Sequence, residues 1–147
     1  MSRFYTIDEA NSALPEVERI LGALRDQREE LIALRDRVVA ASPPDDESPS
    51  DEAAEQVRLL RLGMQGLIDQ MQAGVARLVE LDITLRDIPT GLIDFPALVS
   101  GRPIWLCWRL GEDDVANWHP HDEGFDSRRP LSDLPTGLGR GSGTPAA

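Results

Sequence analysis

The sequence predicts an α+β protein in which a long antiparallel helical hairpin, similar to a coiled coil, carries a small three-stranded antiparallel β-meander. Three observations lead to this fold class. Apolar residues recur every seven residues over two long stretches. A segment of proline, serine and acidic residues separates those stretches, and the spacing of apolar residues changes after Leu85. The 147 residues suit one domain. The predicted parts, in chain order, are helices at about 7–41 and 51–86 around the linker 42–50, the meander 92–119, an ordered exit segment 120–131 that completes the single domain 1–131, and a disordered tail 132–147.

The first helix begins with a capping box, in which Thr6 is the N-cap and Glu9 follows three residues later. Its apolar residues have heptad spacing. The two rows are Ile7, Leu14 and Leu21, and Ala10, Val17, Leu24, Leu31 and Val38. Pro15 either kinks this helix or begins a second helix at its first-turn position, where the missing N–H costs little.

The second helix has the same heptad spacing. Its rows are Val57, Met64, Met71, Leu78 and Leu85, and Leu60, Leu67, Gly74 and Leu81. The preceding segment "SPPDDESPSD" is too rich in proline and charge to be helical or buried. A lone hairpin has a narrow core, so its outer apolar residues need cover from the rest of the chain or from a second copy in a four-helix bundle. These outer residues are Ile20, Ile32, Leu59 and Ile68.

The rest of the domain has the composition of β-strands. "GLIDFP" is a short strand that ends at Pro96, and "PIWLCWRL" at 103–110 is the strongest strand because it is rich in aromatic and branched residues. "VANWH" at 115–119 follows the acidic turn "GEDD". We therefore expect a β-hairpin with its turn at 110–114.

The composition of the chain argues against several classes of function. Acidic residues number 26 and basic residues 15, all of them arginine, for a formal net charge of −11. This balance disfavours binding to nucleic acid and to anionic membranes, which both need a basic surface. No stretch reaches the roughly 18 apolar residues of a membrane span, and the N-terminus lacks the apolar core of a signal peptide. With a single cysteine, the sequence predicts a cytoplasmic protein in a reducing compartment.

Three sequence blocks occur in order and resemble the bacterial and archaeal domain-of-unknown-function family 2203. The blocks are "FYTIDEANSALPEVERIL", "GLIDFPALVSGRPIWLCWRLGE" and "WHPHDEGFDSRRPL". The resemblance covers about residues 3–131 and brings no established activity. It implies that the C-terminal meander is the part around which the family is organised, while His121 and the linker lie outside the family pattern. The positions that it implies are Ala10, Asn11, Leu14, Pro15, Gly91, Asp94, Phe95, Pro96, Gly101, Cys107, Trp108, Gly111, Glu112, Trp118, His119, Asp122, Gly124, Phe125 and Arg128.

Residues 106–128 contain the only cysteine and both histidines, which raises the hypothesis of a metal site. The candidate ligands for zinc or iron are Cys107, His119, Glu112 and Asp122. A turn at 111–113 places Cys107 and His119 on one face of neighbouring strands, whereas a slip of one residue places them on opposite faces. The favoured alternative is structural: a buried strand cysteine beside a histidine bonded to the backbone.

Two catalytic hypotheses use the same residues. Cys107 would be a nucleophile with His119 as base and Asp122 or Glu112 as the orienting group. Against this, Cys107 lies in mid-strand among carboxylates that raise the pKa of a thiol. Alternatively, Glu112 and Asp122 would be general acid and base, although carboxylates in a turn are usually only solvated.

Five further residues are candidates for binding a ligand, and each has a structural alternative. Asn11 and Asp94 can bond their own backbone near a proline, and Arg128 can form ion pairs that tie the exit segment to the sheet. Trp108 and Trp118 can form a cross-strand pair in the core. Convergence of Asn11, Asp94, Glu112 and His119 would favour a ligand site.

The sequence therefore leaves two classes of function open. The first is a non-enzymatic interaction or regulatory module that forms a homo-oligomer such as a dimer, or binds another protein, through its helices. The second is a protein, enzyme or not, that binds a metal or small ligand in the block from Cys107 to Arg128. The heptads, the acidic surface and the lack of a specific catalytic motif favour the first class.

Overall fold

The computed structural model describes residues 3–45 and 47–134. Two long helices precede an antiparallel sheet of five strands, so the predicted α+β class is confirmed. The helices are α1 (Ile7–Ala41) and α2 (Asp51–Glu80), and the strands are β1 (Thr84–Asp87), β2 (Leu92–Val99), β3 (Arg102–Arg109), β4 (Asn117–Pro120) and β5 (Arg129–Pro130). Short 3-10 turns lie at Phe125–Ser127 and Leu131–Asp133.

The helices pack against each other as an antiparallel hairpin. Contacts along the pair join early residues of one helix to late residues of the other, as in the ion pair of Glu16 with Arg77 and the hydrogen bond of Gln27 with Gln70. The α1 N-terminus has the capping box, since the Glu9 amide donates to Thr6 Oγ1 at 3.1 Å and the Thr6 amide to Glu9 Oε1 at 2.9 Å. Pro15 lies inside α1, which continues as one helix.

The second helix is shorter than the sequence predicts, because it ends at Glu80 instead of continuing to residue 86. Asp82 adopts a left-handed backbone conformation with φ of 59°, and its amide donates to the Val79 carbonyl. The Ile83 amide donates to the Leu78 carbonyl, which completes a Schellman motif. The chain can then leave the helix and form β1.

The sheet has two strands more than the three predicted, β1 and β5, and its spatial order follows the chain. Another prediction was wrong at Pro96, where β2 does not end but continues to Val99. β1 pairs with β2 only as far as Asp94, so β2 has an unpaired edge at Pro96, where a proline is tolerated. The Tyr5 amide donates to the Pro96 carbonyl at 2.7 Å.

Buried residues of both helices and of one sheet face form a common core. From the sheet, the core includes alternate residues of β2 and β3, such as Phe95, Leu106 and Trp108. The core residues of the helices lie near the sheet end of the hairpin, between Ala10 and Leu24 of α1 and at Leu78 of α2. The alternation of strand residues therefore directs the intervening side chains to the other face of the sheet.

Two further predictions concern the C-terminal tail and membrane-spanning segments. Residues 132–134, predicted to begin the tail, complete the last 3-10 turn and include Leu134, which packs against the core; residues 135–147 lie outside the described part of the chain. Within the described ranges, neither helix is apolar enough along its length to cross a membrane.

Candidate metal centre

The sheet face opposite the core carries Asp94, Cys107 and His119. Asp94 of β2 lies directly opposite Cys107 of β3, while His119 of β4 lies opposite Trp105, two residues from Cys107. Because residues two apart on a strand share a face, the three side chains lie on the same side of three adjacent strands. The pairing register thus places Cys107 and His119 together.

These three side chains form a compact, buried cluster. A carboxylate oxygen of Asp94, the Cys107 sulfur and a ring nitrogen of His119 all lie within 4.8 Å of one another. Asp94 and His119 are each 2% exposed and Cys107 is 1% exposed. Ligand atoms around a tetrahedral zinc ion are about 3.3–3.8 Å apart, so small side-chain adjustments would let all three donors bind one ion.

Both ring nitrogens of His119 face hydrogen-bond acceptors. Nδ1 lies 3.0 Å from the Pro120 carbonyl oxygen, which can only accept, so Nδ1 carries a hydrogen. Nε2 lies 3.0 Å from Asp94 Oδ2, within hydrogen-bonding distance. A bond from one ring nitrogen to a backbone carbonyl is the arrangement that orients a metal-binding histidine, with the second nitrogen left for the ion.

The Asp94 carboxylate is only half satisfied by protein contacts. The Arg86 Nε donates to Oδ2 at 2.8 Å, and this same oxygen faces His119. The other oxygen, Oδ1, is buried and has no hydrogen-bond partner among the described residues. An unpartnered buried carboxylate oxygen is costly, and a bound cation would satisfy it.

The surroundings of Cys107 keep its thiol protonated in the absence of a metal. Burial, reinforced by the negative charge of Asp94, raises the pKa of Cys107 to about 12, and the opposing effect of Arg128 is smaller. A thiol in this state is a poor nucleophile at neutral pH, which speaks against the cysteine hypothesis. A coordinated metal ion reverses the preference, because it binds the thiolate and displaces the proton.

Glu112 and Arg128 form an ion pair beside the cluster. Arg128 donates through both Nη atoms to the two Glu112 oxygens at 2.7 and 2.8 Å, and the Arg109 amide donates to Oε1. Burial alone would raise the pKa of Glu112, but the hydrogen bonds from Arg128 and the Arg109 amide outweigh it and lower that pKa. Both Glu112 oxygens therefore accept hydrogen bonds from Arg128, and Glu112 is not a metal ligand in this arrangement.

A cleft of about 280 Å³ gives access to part of the cluster. Asp94 and His119 line it together with Arg86 and residues of the exit segment. Its remaining lining residues are Leu92, His121, Asp122, Glu123, Gly124 and Phe125. The three donors could thus hold an ion with a further coordination position for water or a small ligand, which is the arrangement of catalytic zinc sites.

The other residues singled out from the sequence lie apart from the cluster. Asn11 Oδ1 accepts from the Val115 amide at 2.7 Å and so ties α1 to the loop before β4. Trp108 and Trp118 lie on the core face, and Trp118 is opposite Leu106, so the two indoles are not a directly opposed pair. Asp122 is exposed at the cleft and does not meet Glu112 there, which leaves no acid–base pair of the predicted kind.

Two residues of the site region were missed, Arg86 and Trp105. Arg86 lies at a β-bulge between Leu85 and Asp87, within a stretch that the sequence assigned to the second helix. The alternation of Ile83 and Leu85 with polar neighbours, followed by the turn residues of "DIPTG", was the available signal for a strand. Nothing in the local sequence indicated that Arg86 reaches Asp94, because that contact depends on the bulge.

The comparisons with known proteins place the site within a family. A family model described as "Uncharacterized conserved protein (DUF2203)" matches residues 3–131, a range that contains the whole cluster and the cleft. No curated protein and no solved structure matches the chain.

Proposed function

The chain belongs to this family of uncharacterised conserved proteins, and we propose that it binds a divalent transition-metal ion, zinc in the first place, through Asp94, Cys107 and His119. The single observation that carries the proposal is the convergence of these three buried donors on the sheet face opposite the core, which we call the outer face. The Asp94 Oδ1 atom supports it, since this buried oxygen has no hydrogen-bond partner among the described residues.

The charges of the three donors favour a divalent ion. The Asp94 carboxylate and a Cys107 thiolate together contribute two negative charges, and neutral His119 contributes none, so the ion and its ligands are electrically neutral. A buried site must be close to neutral, because isolated charges are expensive to desolvate. Thiolate and imidazole ligands suit zinc, whereas the common non-haem iron site uses two histidines and one carboxylate, a set that this cluster does not provide.

Zinc titration of the full chain, stripped of metal with a chelator, tests this proposal. We expect one zinc ion per chain by isothermal titration calorimetry. Asp94→Asn, Cys107→Ala and His119→Ala should each weaken binding at least about a hundredfold, because each removes one of three ligands. Asp122→Asn, at the exposed edge of the cleft, is the matched control and should bind normally. Absence of binding to the wild type, or equal binding to all four variants, would rule out this site.

A second candidate function is self-association through the helical hairpin. A shallow apolar groove of about 450 Å³ runs along the helices, lined by Leu31, Ile68, Met71, Gln72, Val75 and Ala76. The hairpin has heptad spacing, and a helix of a second copy would provide the apolar side chains to fill such a groove, as in a four-helix bundle. The apolar groove favours a homodimer over the other protein interactions that the sequence leaves open.

The oligomeric state tests the second candidate. Sedimentation equilibrium should show a dimer for the wild type. Ala76→Glu should shift the chain to a monomer, because it puts a charge in the groove from an exposed position that leaves the core intact. Ala33→Glu, also exposed on a helix but not in the groove, serves as control. A monomeric wild type, or a dimer that withstands Ala76→Glu, would contradict the groove interface.

A further inference from the structure

Arg86 is held on the outer sheet face by two kinds of contact. Its Nε donates to Asp94 Oδ2 at 2.8 Å, and its guanidinium carbon lies 4.9 Å from the centroid of the Trp105 ring. Trp105 is itself fixed, because its ring stacks on His121 with centroids 4.8 Å apart and its indole N–H donates to the His121 carbonyl. The guanidinium is therefore oriented before any ligand arrives, which reduces the entropy cost of binding.

The outer end of this guanidinium is available to a ligand. Among residues 3–45 and 47–134, neither Nη atom of Arg86 has a hydrogen-bond partner, and the side chain is 41% exposed. Arg86 lines the cleft that also reaches Asp94 and His119. The two Nη groups form the planar fork that binds carboxylates through paired hydrogen bonds.

The charge in and around the cleft sets the class of ligand. With a divalent ion neutralised by Asp94 and the Cys107 thiolate, Arg86 leaves one uncompensated positive charge at the cleft. Two further carboxylates line the cleft: Glu123 pairs with Arg129 at 3.5 Å, and water screens the charge of the solvent-exposed Asp122. This balance favours an anion with one negative charge and disfavours multiply charged anions.

We infer that the cleft binds the carboxylate group of a small monoanion. One oxygen of this carboxylate would bind the metal ion, and the Nη atoms of Arg86 would donate hydrogen bonds to the group. The inference rests on the proposed metal site and names the ligand class that this site takes. The cleft volume of about 280 Å³ is at the lower limit of ligand pockets, so the ligand has few heavy atoms.

Acetate binding to the cobalt-substituted full chain tests the inference. A thiolate-to-cobalt charge-transfer band in the near ultraviolet first reports that Cys107 binds the ion, and the visible d–d bands then report what enters the open position. Sodium acetate should change the d–d bands saturably, while sodium perchlorate at the same ionic strength should not. Arg86→Gln should weaken acetate binding at least about tenfold, because it removes a charge-assisted pair of hydrogen bonds.

Two controls separate the possible results. The Arg86→Gln protein without acetate should keep the charge-transfer band and bind cobalt at least as tightly as the wild type, since a glutamine can still donate to Asp94. Arg102→Gln removes an exposed arginine outside the cleft and should leave acetate binding unchanged. A charge-transfer band with no acetate response, or with equal acetate affinity in Arg86→Gln, overturns the monoanion site and leaves the metal site standing. Absence of the charge-transfer band in the wild type overturns both.

Discussion

Arg128 lies near Cys107 and forms an ion pair with Glu112. It holds Glu112 with two hydrogen bonds, its guanidinium lies 4.6 Å from the Phe125 ring centroid, and its charge acts on the Cys107 thiol. The hydrogen bond to Glu112 is the main reason that the pKa of Arg128 is raised. Arg128 thus adds a side-chain contact to the pairing of β5 with β4 that attaches the exit segment to the sheet.

At the residue scale, we predict unequal effects of removing two adjacent arginines. Arg128→Ala should lower the free energy of unfolding by about 2 kcal/mol, because the partly buried Glu112 would lose both of its charged hydrogen bonds. Arg129→Ala should cost less than about 0.5 kcal/mol, because its side chain is 45% exposed and its ion pair with Glu123 is long at 3.5 Å. Urea unfolding at neutral pH measures both values, and equal losses would contradict the structural role of Arg128.

Individual contacts of the site were only partly predictable. Ion pairing of Arg128 with a nearby carboxylate follows from the local sequence, and the structure shows it with Glu112. The shared face of Cys107 and His119 could not be decided, because a slip of one residue in the β3–β4 register reverses the result. Asp94 was not recognised as a metal ligand, since its position opposite Cys107 depends on the pairing of β2 with β3.

At the element scale, the two turns at one end of the sheet contact each other. Gly91, between β1 and β2, has φ of +67°, and its carbonyl accepts from the Leu110 amide at 2.9 Å. A Cβ atom at Gly91 would lie 2.5 Å from the Cβ of Leu110. The glycine therefore permits both the turn and the approach of the β3–β4 connection.

Gly91→Ala should consequently destabilise the protein more than the same change at another left-handed glycine. Gly101 has φ of +79° and open space where a side chain would lie. Gly101→Ala should therefore lower the free energy of unfolding only by the backbone strain, about 1–2 kcal/mol. Gly91→Ala adds an overlap with Leu110 and should cost at least about 1 kcal/mol more. Thermal and urea unfolding of both variants check the difference, and the idea fails if Gly101→Ala is the more damaging change.

Helices and strands differed in how well the sequence predicted them. The capping box fixes where α1 begins, because Thr6 and Glu9 satisfy each other's amides within one turn. The end of α2 was missed because the left-handed residue of its Schellman motif is Asp82, where a glycine would have given a clear signal. β5 was missed because Arg129 and Pro130 become a strand only by pairing with β4.

At the scale of the whole molecule, the sheet separates two environments. One face shares the hydrophobic core with the helices, and the other carries the cluster of Asp94, Cys107 and His119. The three donors come from β2, β3 and β4, so the helices contribute no ligand to the cluster. The fold class was predictable because it depends on periodicity over many residues, whereas the site depends on the register of three strands.

The most direct test of the metal centre is X-ray absorption at the zinc K-edge of the zinc-loaded chain. The structure predicts one sulfur scatterer at about 2.3 Å from the ion, and nitrogen or oxygen scatterers at about 2.0–2.2 Å that include one imidazole. Cys107 is the only cysteine in the chain, so a sulfur neighbour at that distance identifies the site within one molecule. A zinc environment of nitrogen and oxygen alone, with no sulfur at about 2.3 Å, would contradict the proposed centre.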